Sequence, residues 1–252
     1  MDLPILYEDA DMVVIHKPVG VMTHPDGRTN AKTVSDWFAA TYPDAKEVGE
    51  AQRLADGTEL VRPGVVHRLD ADTSGALVLA KNQAAYTFLK NAFQKRDIKK
   101  IYLAFVYGVP KEKMGVIDFD IGRSRKDFRL RSAQPKAKGI LRDAITRYQV
   151  LSDIGTHALL KAYPETGRTH QIRVHLKAIH HPIVCDKLYA PNRVCDLRFD
   201  RLGLHAYEID LPLPAGERVT VVAPPPPDLM AAITLFPDAV AILNGTKKGF
   251  AL

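Results

Sequence analysis

Between residues 63 and 82 the chain reads PGVVHRLDADTSGALVLAKN. A basic turn with His67 and Arg68 leads into Asp70, then a polar turn, then an apolar run that reads as a strand. A carboxylate in that setting could act as a nucleophile or a base. Asp70 and Asp72 could also form a carboxylate pair of the glycosidase kind, although spacing within a turn does not fix their separation. The same residues would equally make an Asx-type turn feeding a strand. A calcium loop fits poorly: Asp70, Asp72 and Gly75 match its pattern, but the position of the bidentate glutamate is Lys81. Nine histidines invite a zinc site. His170 and His175, however, lie five apart in a segment that reads as helix, so they point to different sides, and no Cys-x-x-Cys occurs. No metal is expected. Neither a GxGxxG stretch nor a Walker loop is present, so no nucleotide cofactor is expected either. Gly167-Arg168-Thr169, ahead of that helix, suits an anion, because a helix N-terminus offers unpaired N–H groups.

These residues need elements to hold them. MVVIH (12–16) reads as a strand that ends at Lys17-Pro18, either a plain strand exit with a solvated lysine or a rim loop beside a substrate. TVSDWFAA (33–40) reads as a helix that Thr33 could cap. Residues 41–62 show no clear period and read as a surface insertion. Apolar residues from Ala84 to Phe93 recur at helical spacing, with Asn82 as N-cap. Ile101–Tyr107 alternates as a strand, with Tyr102, Ala104 and Val106 on one face; Tyr102 could be core packing or part of a site. The segment 123–142 holds Arg123, Arg125, Lys126, Arg129, Arg131, Lys136, Lys138 and Arg142 against one acid, Asp127. It reads as a solvated loop or a phosphate-contacting surface, with Phe128 available to stack on a base or anchor the loop.

Strands are predicted around 143–151 and 157–163. A helix with Thr169 as its cap follows, its apolar stripe Ile172, Leu176 and Ile179, with Arg173 and Lys177 on another face. It stops at His180-His181-Pro182. AYEIDL and VTVVA read as two further strands, and DLMAAITLF as a short final helix. The pattern predicts an α+β fold with a largely antiparallel sheet.

Length and composition bound the rest. The chain has 252 residues, enough for one large domain or two small ones. Lys plus Arg outnumber Asp plus Glu, 35 to 29, a net +6 that permits a polyanionic partner without demanding one. Two cysteines, Cys185 and Cys195, make no disulfide framework and suggest a reducing, cytosolic setting. No signal peptide or bilayer-spanning run is apparent.

Four segments, in order, resemble the RluA-type pseudouridine synthases. HRLDADTSGALVLAK (67–81) resembles that family's catalytic motif, HRLD followed by x-x-T-[ST]-G. HKPVGVMTHP (16–25) resembles its first motif, KKIYLAFVYG (99–108) the motif with its active-site tyrosine, and ETGRTHQIRVHLKAIHHPIVCDKLY (165–189) the one with its active-site basic residue. His16 stands where relatives often have Asn.

The resemblance implies isomerisation of uridine in rRNA or tRNA to pseudouridine, with no cofactor. The N1–C1′ bond breaks, the base turns, and C5 bonds to C1′. It implies that Asp70 is the essential carboxylate, attacking the sugar or removing a proton from it. Arg173 would be the basic residue that pairs with it, and Tyr102 the residue that stacks under the base. Arg68 would take the flipped nucleotide's place in the RNA. His67, Lys17, Arg125, Arg129, Arg131 and Arg168 are the further candidate RNA contacts. The implied architecture is a mixed, mostly antiparallel central sheet flanked by helices. One catalytic domain over residues 1–252 is expected, with no N-terminal S4 domain, since the first motif begins at His16. A cytoplasmic monomer is expected. The competing expectations are an RNA-binding or chaperone-like protein that keeps the fold without catalysis, and a glycosidase of free nucleosides or sugars.

Overall fold

The computed structural model describes residues 1–25, 31–50, 52–53, 59–60, 62–125, 127, 130–135 and 137–246. In chain order the elements are β1 (Ile5–Glu8), β2 (Met12–Lys17), α1 (Val34–Thr41), β3 (Gln52–Arg53), β4 (Glu59–Leu60), β5 (Ser74–Ala80), α2 (Gln83–Gln94), β6 (Lys99–Tyr107), β7 (Met114–Asp118), β8 (Ile121–Ser124), β9 (Arg131–Ala133) and β10 (Ala137–Arg142). They continue with β11 (Ile145–Asp153), β12 (His157–Pro164), α3 (Gln171–Ala178), β13 (Leu204–Pro212), β14 (Arg218–Val222), α4 (Pro227–Ile233) and α5 (Ala239–Leu243). Packing divides the chain into two compact units, Met1–Lys99 with Ala206–Pro224, and Lys100–His205 with Pro225–Leu252.

In the first unit β5 is buried along its whole length, in keeping with its apolar run Ala76–Ala80. β2 pairs with it antiparallel, Met12 opposite Ala80 through to Lys17 opposite Gly75, and β1 pairs with the other edge of β2. β13 and β14 form an antiparallel hairpin. The predicted caps are present. Thr33 accepts from the Asp36 N–H while Asp36 reaches back to the Thr33 N–H, a capping box. Asn82 accepts the Ala85 N–H at 2.9 Å. The buried face of α2 is Ala85, Tyr86, Leu89 and Ala92. Within 41–62, read as a surface insertion, Tyr42 packs on Phe38 at 5.1 Å between ring centroids and β3 and β4 pair antiparallel, while residues 51, 54–58 and 61 lie outside the described residues.

The second unit carries the antiparallel order β6-β12-β11-β7 and a separate three-stranded sheet, β10-β8-β9. Ala104, Val106, Val150, Leu160, Ile172 and Leu176 join in one core cluster, against which Tyr102 packs. The charged segment expected as a loop over 123–142 largely forms β8, β9 and β10. β10 buries only its first residue, so it carries no hydrophobic alternation for a reader of the sequence to find. Lys126, Phe128, Arg129 and Lys136 lie outside the described residues.

α3 differs from expectation at its start. Its N-cap is His170, held at φ 57 with no side-chain cap bond, and not Thr169. Gln171 does the tying instead: its Oε1 accepts the Arg168 N–H at 3.0 Å and the Thr166 hydroxyl at 2.7 Å, and its Nε2 donates to the Ile145 carbonyl at 3.0 Å. His175 is fully buried, between the Thr146 hydroxyl and the Phe119 carbonyl, each at 3.0 Å. Burial holds its pKa below the ordinary 6.5. The unfolded chain therefore takes up its proton first, so this contribution to stability is complete above pH 6.5 and is lost as pH falls below it. The urea midpoint should accordingly fall from pH 7 to pH 5, and less so in His175→Gln; equal falls in the two proteins would contradict this assignment.

Cys185 and Cys195 are joined as a disulfide with Cα atoms 4.9 Å apart, which departs from the expectation of reduced thiols. Cys185 itself has a positive φ of 59.

Candidate active site

Asp70 stands in the tight connection between the basic turn and β5, where the Thr73 N–H bonds back to the Asp70 carbonyl at 3.0 Å. Asp70 is half-buried. The loop leaving β2 interlocks with this turn. Gly20 N–H donates to the Ala71 carbonyl at 2.8 Å. The Thr23 hydroxyl donates to the Leu69 carbonyl at 2.9 Å and accepts the Leu69 N–H at 3.2 Å, a reciprocal clamp on the residue before Asp70.

Lys17 has a different place from the one expected. It is fully buried, and its Nζ donates to the carbonyls of Pro18 at 2.8 Å, Val21 at 2.7 Å and Ala71 at 3.1 Å. Neither a solvated strand exit nor a direct RNA contact fits this environment. Lys17 is a buried cation that ties the β2 exit to the Asp70 turn, with three carbonyl dipoles in place of water. Replacing it with Met keeps the length of the chain and leaves those acceptors unmet. Lys17→Met should lower unfolding stability by about 3 kcal/mol; an unchanged urea midpoint would refute this role.

His67 is also used internally. Its Nε2 accepts the Val78 N–H at 3.0 Å, and its ring stacks on Phe93 at 4.6 Å with planes 25° apart. Arg68, by contrast, is exposed, with Nη1 3.3 Å from His24 Nε2. Of the basic pair before Asp70, it is the one placed to meet a large partner. Gly75, the second residue of β5, has φ 121, and a Cβ there would meet the Ala206 carbonyl oxygen at 2.1 Å. Only glycine permits that approach.

The remaining candidates belong to the second unit. Tyr102 is half-buried on β6, opposite Ala162 of β12. Arg173 is buried on α3, with Nε donating to Asp186 Oδ2 at 2.8 Å and Nη2 to Oδ1 at 2.7 Å. The Tyr189 ring lies 5.1 Å from its guanidinium carbon and 5.4 Å from Lys177 Nζ, in keeping with the shared helix face. Arg125 is exposed just after β8, and Arg131 is half-buried on β9. Arg168 pairs with Asp143, Nη2 to Oδ1 at 2.9 Å and Nε to the carbonyl at 3.0 Å, so an anion there would compete with a carboxylate. Asp186, Tyr189 and Thr23 were not singled out in the sequence. Their partners are distant in the chain, and only the fold reveals them.

The sequence pattern of the RNA pseudouridylate synthase family matches residues 11–178. The chain belongs to that family. Its members isomerise uridine in RNA to pseudouridine. An uncharacterized RNA pseudouridine synthase of Synechocystis is 39% identical over 225 residues, covering 89% of this chain and 66% of that protein. The ribosomal large subunit pseudouridine synthase D of Vibrio cholerae is 37% identical over 261 residues, covering 98% of this chain and 75% of that protein. The chain thus spans roughly two thirds to three quarters of the length of these two relatives. Among solved structures, human RNA pseudouridylate synthase domain containing 1 aligns with TM-score 0.70 at 26% identity, covering 99% of this chain and 97% of that one. The α+β architecture with few helices is that of the family.

Proposed function

We propose that this protein isomerises uridine to pseudouridine in structured RNA, with ribosomal RNA as its first substrate and tRNA as the alternative. Asp70 is the essential carboxylate, acting on the ribose while the N1–C1′ bond breaks and C5 replaces N1 at C1′. Tyr102 stacks under the base and relays the proton that leaves C5. Arg173 is the basic residue that pairs with this carboxylate and orients it. The protein works as a monomer in the cytoplasm, where ribosomal RNA is assembled, and needs no cofactor. The observation that carries this reading is the clamped backbone on both sides of Asp70, through Thr23 to Leu69 and through Lys17 and Gly20 to Ala71. A turn that only fed a strand would not need such anchoring, whereas a carboxylate held for catalysis does. The name of the Vibrio cholerae relative favours ribosomal RNA.

The decisive assay is tritium release from RNA labelled at uridine C5. Ribosomal RNA is expected to release tritium with the protein as sole addition; no release from ribosomal or transfer RNA would refute the reading. Arg68 takes the place of the extruded nucleotide, and Arg125, Arg129, Arg131 and Arg168 contact phosphates. Arg125→Gln with Arg131→Gln should weaken RNA binding and flatten its dependence on log salt by about 1 per lost phosphate contact. An unchanged slope in a filter-binding titration would remove this segment from the interface.

A further inference from the structure

Arg173 exposes 3% of its side chain and Asp186 none. A guanidinium so deeply buried needs a countercharge with matching geometry. Asp186 supplies a side-on fork to the Nε–Nη2 edge, at 2.8 and 2.7 Å. The carboxylate is itself immobile, because its Oδ1 also accepts the N–H groups of Leu188 and Tyr189, each at 3.0 Å. The Tyr189 ring beneath the guanidinium is fixed in turn. Its hydroxyl accepts the Arg131 N–H at 3.0 Å and bonds His170 Nδ1 at 2.9 Å. One edge and one face of Arg173 are therefore set by a turn that carries none of the residues assigned to the chemistry.

We infer that Asp186 is a positioning residue for the isomerisation, fixing the plane and direction from which Arg173 delivers its charge. The inference rests on the reading of Arg173 as the basic residue of the reaction. Asp186 touches no reacting atom; it acts through the guanidinium, as preorganised sites require of their supports. A second role, holding the 186–189 turn, falls to the same carboxylate and must be separated from the first.

Asp186→Asn separates them, since its side-chain oxygen can still accept the Leu188 and Tyr189 N–H groups while the charge and one arginine bond are lost. With one RNA substrate, kcat should fall about 100-fold and KM should stay within about threefold. Added to Arg173→Gln, the Asp186→Asn change should cost nothing more, because the two act as one unit. The Arg173 Nε–H resonance should be distinct in the wild type and averaged in Asp186→Asn. An Asp186→Asn enzyme with wild-type kcat, beside an inactive Arg173→Gln, would overturn the inference and leave the reading of Arg173 intact. Losses that multiply in the double variant would also overturn it. Wild-type turnover by Arg173→Gln would overturn the role of Arg173 and that of Asp186 with it. Where Asp186→Asn does not accumulate folded, Asp186→Glu carries the test: reduced kcat at unchanged KM supports positioning, and wild-type values for both overturn it.

Discussion

Asp70→Asn should stop pseudouridine formation, with kcat down by about 10⁴-fold, while RNA binding changes by no more than a few-fold. The substitution removes one charge and leaves the shape of the side chain. The turn itself is held by the Thr73 N–H on the Asp70 carbonyl, the Gly20 N–H and Lys17 Nζ on the Ala71 carbonyl and the Thr23 hydroxyl on the Leu69 carbonyl, contacts that do not use the Asp70 carboxylate. The fold should therefore survive. Affinity should survive as well, because phosphate contacts dominate RNA binding and Asp70 makes none that is favourable. A large kcat effect follows because a residue acting covalently or as a base has no substitute in an amide. Single-turnover kinetics with a filter-binding control measure both quantities. An Asp70→Asn protein that fails to fold would show that the turn role of this residue dominates.

Gly75→Ala should cost about 4 kcal/mol or more in unfolding free energy. Two causes act together. The backbone is at φ 121, where a side chain is strained, and the added Cβ would stand 2.1 Å from the Ala206 carbonyl oxygen and 2.7 Å from its carbonyl carbon. The obstructing atoms are backbone, so no side chain can swing aside. Gly75 also lies opposite Lys17 in the β2–β5 ladder, so any shift there disturbs the anchoring of the Asp70 turn. Equilibrium urea unfolding measures the loss. A wild-type midpoint would mean that β13 yields at Ala206 without cost.

Elements with strong local signals were legible in the sequence. β2, β5, β6 and the helices α1 and α2 follow directly from apolar periodicity and from the caps Thr33 and Asn82. The pairing of β11 with β12 was likewise foreshadowed by two apolar runs around a short turn. β8 to β10 were not, because a sheet edged by arginines and lysines, with Ile140 84% exposed, buries too little to pattern its sequence. The short strand β1 and the helix α5 were also missed, each too brief to show a period.

At the candidate site, motif resemblance named Asp70, Tyr102 and Arg173 but could not say what surrounds them. Lys17 shows the gap most clearly. A lysine beside a proline at a strand end reads as exposed, and only the carbonyls of Pro18, Val21 and Ala71 make its burial affordable. Asp186 is the converse case. It sits inside a quoted motif, yet nothing in the order of residues links it to Arg173 until the turn after Ile183 brings its carboxylate to α3.

The central claim, that this chain makes pseudouridine through Asp70, is tested most directly by mapping pseudouridines in cells. The comparison needs cells lacking the protein, complemented with the wild type or with Asp70→Asn. One or a few positions, first in ribosomal RNA, should be modified with the wild type and unmodified both in its absence and with Asp70→Asn. Identical maps in the three strains would contradict that claim.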